Sequence, residues 1–271
     1  MITGTVSQLI TLTSFGNHDL NNAQLPATFY PANQAFQFCN IVDFRKLSNS
    51  SDTEATILAA NPIEWYKYLK ESGCNALRLA YNYSENQAVQ DYRTAGLVGG
   101  GGTWLIEADY GDYSNYWGRR WSMNTQKTSD NRIWNVNYMR IAEEENSIYL
   151  EIDRQQTRTK LSKALTEIAS FAFMNNEQQW GKIFEQAKDT LESATPEKGY
   201  AHRNLIPLPD YSLPDQQLLF SAVKSWVFGN QDSWNDLNNF DNEEDEQRYD
   251  ELSAELYALI NAAIMAVINN N

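Results

Sequence analysis

Near residue 150 the spacing of apolar residues changes period, and that change constrains the fold more than any other feature of the chain. In Arg132–Ile141, Trp134, Val136 and Tyr138 alternate with Asn135 and Asn137. In Tyr116–Met123, Trp117, Arg119 and Trp121 oppose Tyr116, Gly118 and Arg120. A period of two belongs to a pleated strand. Beyond Gln155 the apolar residues recur every three or four positions: Leu161, Leu165, Ile168 and Ala172, then Trp180, Ile183, Phe184, Ala187 and Leu191. That spacing lays one stripe along a helix. The sequence therefore predicts an α+β protein with a mostly antiparallel sheet over residues 1–150 and a helical bundle over 151–271. The link at 145–153 lacks a flexible Gly/Ser composition, which allows the two parts to share one core.

The first half divides further. Thr3–Phe15 is rich in Thr, Val, Leu and Ile, which predicts a strand or hairpin. Ala35–Ile41 reads as a half-buried strand. Asn61 caps a helix with Pro62 in its first turn and Gly73 as its stop. Asn75–Tyr83 reads as a strand. Thr103–Asp109, Tyr116–Met123 and Arg132–Ile141 form a meander, and Ile148–Asp153 finishes the sheet. The second half carries four main helices, over about 155–173, 177–191, 215–228 and 246–269. A proline-punctuated connector runs from Thr195 to Pro214.

Charge follows the same division. Residues 1–140 hold 12 Asp+Glu against 11 Lys+Arg, and residues 141–271 hold 23 against 10. Asp232–Glu251 alone has nine carboxylates and one cation, Arg248. A net charge of −14 repels nucleic-acid phosphates and anionic lipid heads, so neither is an expected partner. No apolar run approaches the roughly 18 residues of a membrane span, and the opening residues lack a signal-like pattern. Two cysteines make no disulfide framework. These features predict a cytoplasmic protein without cofactor or metal.

No set of residues gathers reactive groups. Gly99–Gly102 lacks the Lys and Ser/Thr of a phosphate loop and enters a strand at Thr103, so it reads as a connector. His18 and His202 are far apart in sequence and neither has a cysteine beside it, which argues against zinc; His18 reads as a surface-loop residue. Cys39 and Cys74 lie in apolar surroundings and read as buried, inert thiols. No Gly-x-Ser-x-Gly element is present. Glu143–Glu145 reads as a solvated turn. Arg119, Arg120, Arg132 and Arg140 are expected in salt bridges or over neighbouring tryptophan rings. Glu107 and Asp109 share a strand face beside aromatic residues. An alternative reading makes them the acid/base pair of a small-molecule or glycan hydrolase, while solvated acids on a sheet explain them without chemistry.

The most individual stretch is Trp226-Val227-Phe228-Gly229-Asn230-Gln231-Asp232-Ser233-Trp234-Asn235-Asp236. Gly229 is expected to close a helix in the left-handed conformation, and Asp232 or Ser233 to cap the next turn. A packed helix–turn–helix corner explains both tryptophans. Together with Tyr249–Ser253 and Leu256-Tyr257, the stretch resembles the C-terminal portion of uncharacterised bacterial proteins with a Trp-Val-Phe-Gly…Ser-Trp-Asn-Asp element. Some of these are suspected to belong to toxin–immunity or accessory loci. The resemblance covers about one fifth of the chain and brings no catalytic residue. Where that family's turn is richer in glycine, this chain has Asn230-Gln231-Asp232.

These readings converge on a non-catalytic protein-binding module, of immunity or adaptor type, that captures a basic protein. Trp234, Asn235, Asp236, Asp241, Glu243, Glu244 and Asp245 are its expected contact residues. A structural or accessory protein, whose acids only keep it soluble, is the remaining alternative.

Overall fold

Thr, Val and Ile favour strand locally, yet Gly4–Leu20 is an α-helix, α1, in place of the strand or hairpin expected over residues 3–15. The computed structural model describes residues 4–47, 55–84, 90–95, 100–125, 131–200, 203–229, 232–238, 240 and 242–270. Every side chain from Val6 to Asn17 is buried, so α1 has no polar face to betray its period, and tertiary burial overrides propensity. Its polar side chains are bonded from several directions. Gln8 donates to the Ala35 carbonyl (3.2 Å) and accepts from the Tyr138 hydroxyl (2.8 Å), while Thr11 donates to the Leu205 carbonyl (3.1 Å).

Residues 34–36 form a 3-10 turn, and strand β1 (Cys39–Leu47) begins only at Cys39, so the strand expected from Ala35 starts four residues later. β2 (Ala55–Ala59) follows. Helix α2 (Pro62–Glu71) has the expected start: the Asn61 side chain accepts from the Glu64 N–H (3.0 Å). Gly73 closes it at φ 82°. β3 (Ala76–Asn82), a short α3 (Asp91–Thr94), β4 (Thr103–Asp109), β5 (Ser114–Met123) and β6 (Trp134–Glu145) complete this half.

The strands form one six-stranded sheet in the order β2-β1-β6-β5-β4-β3. The β4-β5-β6 meander is antiparallel, as its alternation predicts; β1 pairs with β6 in parallel, which makes the sheet mixed. On the inner face Phe44 stacks on Trp65 of α2 at 4.1 Å, and Trp65 meets Trp117 edge-on at 5.5 Å. Ile148–Asp153 does not join the sheet as expected. The segment is tied to the outer face by side chains: the Ile148 N–H donates to the Tyr116 hydroxyl (2.9 Å), and the Arg78 guanidinium lies 4.7 Å from the Tyr149 ring centre.

The four expected helices are α4 (Arg154–Met174), α5 (Gln178–Thr190), α6 (Leu213–Lys224) and α7 (Glu243–Ile268). α6 stops at Lys224, four residues before the expected end. Asp153, Ser212 and Asn242 cap α4, α6 and α7 by accepting from the backbone N–H three residues on. Against the sequence expectation, α7 is long and apolar enough to cross a membrane by composition alone; it is packed against α4, α6, β3 and α1, which is the pattern of a core helix. The largest cluster of buried apolar side chains runs from Val6 of α1 through Trp117 of β5 to Ile268 of α7.

Candidate functional site

The corner between α6 and α7 is built from its own side chains. After α6, the Trp226 indole N–H donates to the Phe228 carbonyl (2.8 Å). The Asn235 side chain accepts from the Gly229 N–H (3.0 Å) and the Ser233 hydroxyl (2.6 Å), and donates to the Gly229 and Arg93 carbonyls (3.1 and 3.3 Å). Among the described residues of this turn the left-handed one is Asp232 (φ 57°) rather than Gly229, whose N–H and carbonyl are both bonded to Asn235. Ser233 and Asp236 then cap the 3-10 turn at 234–236 reciprocally.

Trp234 is fully buried. Its indole donates to the Ser253 hydroxyl (2.8 Å), its carbonyl accepts from Tyr249 (2.6 Å), and Phe184 and Trp180 meet it edge-on at 5.1 and 6.0 Å. Trp234 and Asn235 therefore build the corner, and a partner would not reach the indole. The surface here belongs to carboxylates. Asp236, Glu243, Glu244 and Glu246 are exposed. Asp245 is half-buried and closes the α7 cap with Asn242 (2.8 Å). Asp241 lies outside the described residues. Four acids in the first turn of α7 also complement the helix dipole. Further along, Asp250 is bound by Arg93 and Tyr92, and Arg248 bridges Glu251 and Glu167. Among the described residues no cation pairs with Glu243, Glu244 or Glu246. Asp236 also lines a notch of about 90 Å³, with Glu177, Leu237 and Phe240 among others.

No family model, curated protein or solved structure matches the chain.

Glu107 and Asp109 do share the outer face of β4, as the alternation predicts. The Ser114 hydroxyl donates to Glu107 at 2.6 Å, and Arg78 reaches Asp109 at 2.9 Å and Glu107 at 3.9 Å. Glu107 is 1% exposed. One arginine thus reaches both carboxylates, and Glu107 is buried beside the Ser114 and Tyr116 hydroxyls. His18 is in the last turn of α1, not in a loop, and its partner is Asp210 (2.6 Å) from the connector; neighbouring Asp19 turns instead to Lys70 (3.0 Å). His202 lies outside the described residues. Cys39 and Cys74 are buried as expected, and burial pushes their thiols up to about 11 and about 12. Gly100–Gly102 leads into β4, and the Gly101 carbonyl accepts from Tyr257 (2.7 Å) and Tyr81; Gly99 lies outside the described residues. Arg140 lies over Trp117 (6.0 Å) and pairs with Glu143 (3.2 Å), as expected. Arg119 instead donates to the Trp104 carbonyl (2.7 Å), and burial lowers its pKa.

The sequence reading passed over a cleft of about 500 Å³ between α5, α6 and the 191–200 connection, with Lys224 in its wall. Its residues come from separate segments, and only Trp226 and Val227 belong to a stretch that stands out in the sequence.

Proposed function

We propose that this chain is a non-catalytic, cytoplasmic protein-binding module of immunity or adaptor type, whose acidic corner at the start of α7 captures a basic protein. The observation that carries the reading is the row of exposed carboxylates Asp236, Glu243, Glu244 and Glu246, with no cation of the described chain on the three glutamates. The adjoining notch adds shape. Two acids and two apolar side chains suit the aliphatic stem and charged head of a lysine or arginine. Steering by such a surface speeds encounter and selects partners of opposite charge. The resemblance of Trp226–Asp236 to proteins suspected in toxin–immunity loci points the same way.

The test is affinity capture from the source cell at about 0.05 M and about 0.5 M salt. The bait is the wild type or the triple variant Glu243→Lys/Glu244→Lys/Glu246→Lys. The wild type is expected to retain a basic protein at low salt only, and the triple variant to retain none. Equal capture by both baits, or no captured protein at all, overturns the reading.

A further inference from the structure

The cleft between α5, α6 and the 191–200 connection falls within the range of roughly 300–1,000 Å³ typical of small-molecule sites. Trp180 and Ile183 of α5, with Val223 of α6 and Val227 beyond its end, give it apolar walls. Asp189, Lys198 and Lys224 are its charged residues. Lys224, the last residue of α6, is partly buried, and its ammonium donates to the Thr190 hydroxyl oxygen (3.2 Å) and the Lys198 carbonyl (3.0 Å). Thr190 spends its own proton on the Gln186 carbonyl (2.8 Å), which turns a lone pair toward the lysine.

Both acceptors are neutral, and an ammonium has three N–H donors. No carboxylate among the described residues comes within ion-pair range of Lys224, whereas Arg45, Arg78, Arg93, Arg140 and Arg154 each hold one. The Glu197 carboxylate acts on the ammonium only from beyond that range. The C-terminal dipole of α6 supplies about half a compensating charge. It supplies no acceptor for the third N–H.

We propose that this cleft binds a small amphipathic anion, a carboxylate or phosphate monoester on a flat or aliphatic body. Its head sits on Lys224 and its body lies against Trp180 and Ile183. Asp189 and Gln186 on the exposed rim limit the ligand to one anionic end, because a second charge would meet Asp189. Charge-assisted hydrogen bonds of this kind are roughly twice as strong as neutral ones. The head group therefore discriminates, while the apolar walls supply affinity with little regard to the exact body.

Titration calorimetry with benzoate, indole-3-carboxylate and phenyl phosphate, each against its neutral counterpart (benzamide, indole-3-carboxamide, phenol), tests the proposal. At least one anion is expected to bind about tenfold or more tighter than its counterpart. Lys224→Gln is expected to abolish that preference. Gln186→Glu changes only an exposed rim residue and keeps the lysine's bonds; it is expected to weaken the anion several-fold and leave the neutral counterpart unchanged, so it decides the matter if Lys224→Gln fails to fold. The proposal is overturned if no anion binds, if anion and counterpart bind alike, or if folded variants bind as the wild type does.

Discussion

Gly16 marks the closest approach of α1 to its neighbours. A Cβ there would lie 2.9 Å from Tyr66 Cε1 and closer still to Leu77 Cδ1, and both of those side chains are fully buried. Two effects oppose each other in Gly16→Ala. Alanine is favoured in a helix interior by about 0.5–1 kcal/mol, and overpacking of a filled core costs about 1–3 kcal/mol. Because neither neighbour has space to retreat, overpacking wins, and urea unfolding should show a net loss of about 1–2 kcal/mol. A gain in stability would mean that α1 can shift away from β3. The thiols make a second prediction. Their native values of about 11 and about 12 exceed the ordinary 9.0 because burial penalises the thiolate. The unfolded thiols ionise first as pH rises. Their contribution to stability is therefore complete below about pH 9 and disappears as pH climbs through 11 and 12. Buried tyrosines such as Tyr138 and Tyr249 are pushed up by the same cause and steepen the decline. Native protein at pH 8 should leave a thiol reagent unreacted, with two thiols appearing in denaturant; a fast native reaction would place a cysteine at the surface.

At the scale of elements, β3 is an outer strand of the sheet whose free backbone groups are taken by two side chains from helix ends. Asn17 of α1 accepts from the Leu77 N–H (2.7 Å) and donates to its carbonyl (2.9 Å). Asn269, at the end of α7, does the same for Leu79 (2.7 and 2.8 Å). Each carboxamide imitates a neighbouring strand, and together they blunt an edge that would otherwise template pairing with another chain. Asn269→Ala should cost about 1–3 kcal/mol by leaving two backbone groups unpaired, and amide hydrogen exchange should lose protection at Leu79 before it does at Arg78, which pairs with Glu107 of β4. Unchanged exchange at Leu79 would show that water replaces the carboxamide without penalty. None of this pairing could be read from sequence, since Asn17 and Leu77 meet only through the fold. Strand β6 and helices α4 and α5 were legible because each has one buried face, which writes its period into the chain. α1 was not, because a helix buried all round has no period, and its Thr, Val and Ile residues point locally to strand. The candidate site was legible in part for the same reason. Exposed acids such as Glu243 and Glu244 show in composition, while Trp234 could not be separated from a surface contact until its neighbours Phe184 and Ser253 were placed.

The whole molecule carries its charge unevenly, and salt should act on the fold and on a captured partner with opposite signs. The net charge of −14 resides almost wholly in residues 141–271. Repulsion among these acids extends across the surface, whereas the ion pairs that oppose it, such as Arg78–Asp109 at 2.9 Å and Arg248–Glu167 at 2.9 Å, are contacts. Screening distinguishes the two by distance. The Debye length is about 30 Å at 0.01 M salt and about 8 Å at 0.15 M, so this range of salt removes the long-range repulsion while contact pairs lie well inside the screening length throughout. Exposed pairs are in any case worth only about 0–1 kcal/mol each. The thermal midpoint should therefore rise between about 0.01 and 0.15 M sodium chloride, by about 2–4 °C for each kcal/mol of relieved repulsion in a chain of this size. The proposed complex with a basic partner should weaken over the same range, because there the long-range interaction is attractive. A midpoint that falls with salt would show that attraction between the halves outweighs repulsion within the acidic one. The carboxylates at the start of α7 would then be held by the chain's own cations instead of standing ready for a partner's.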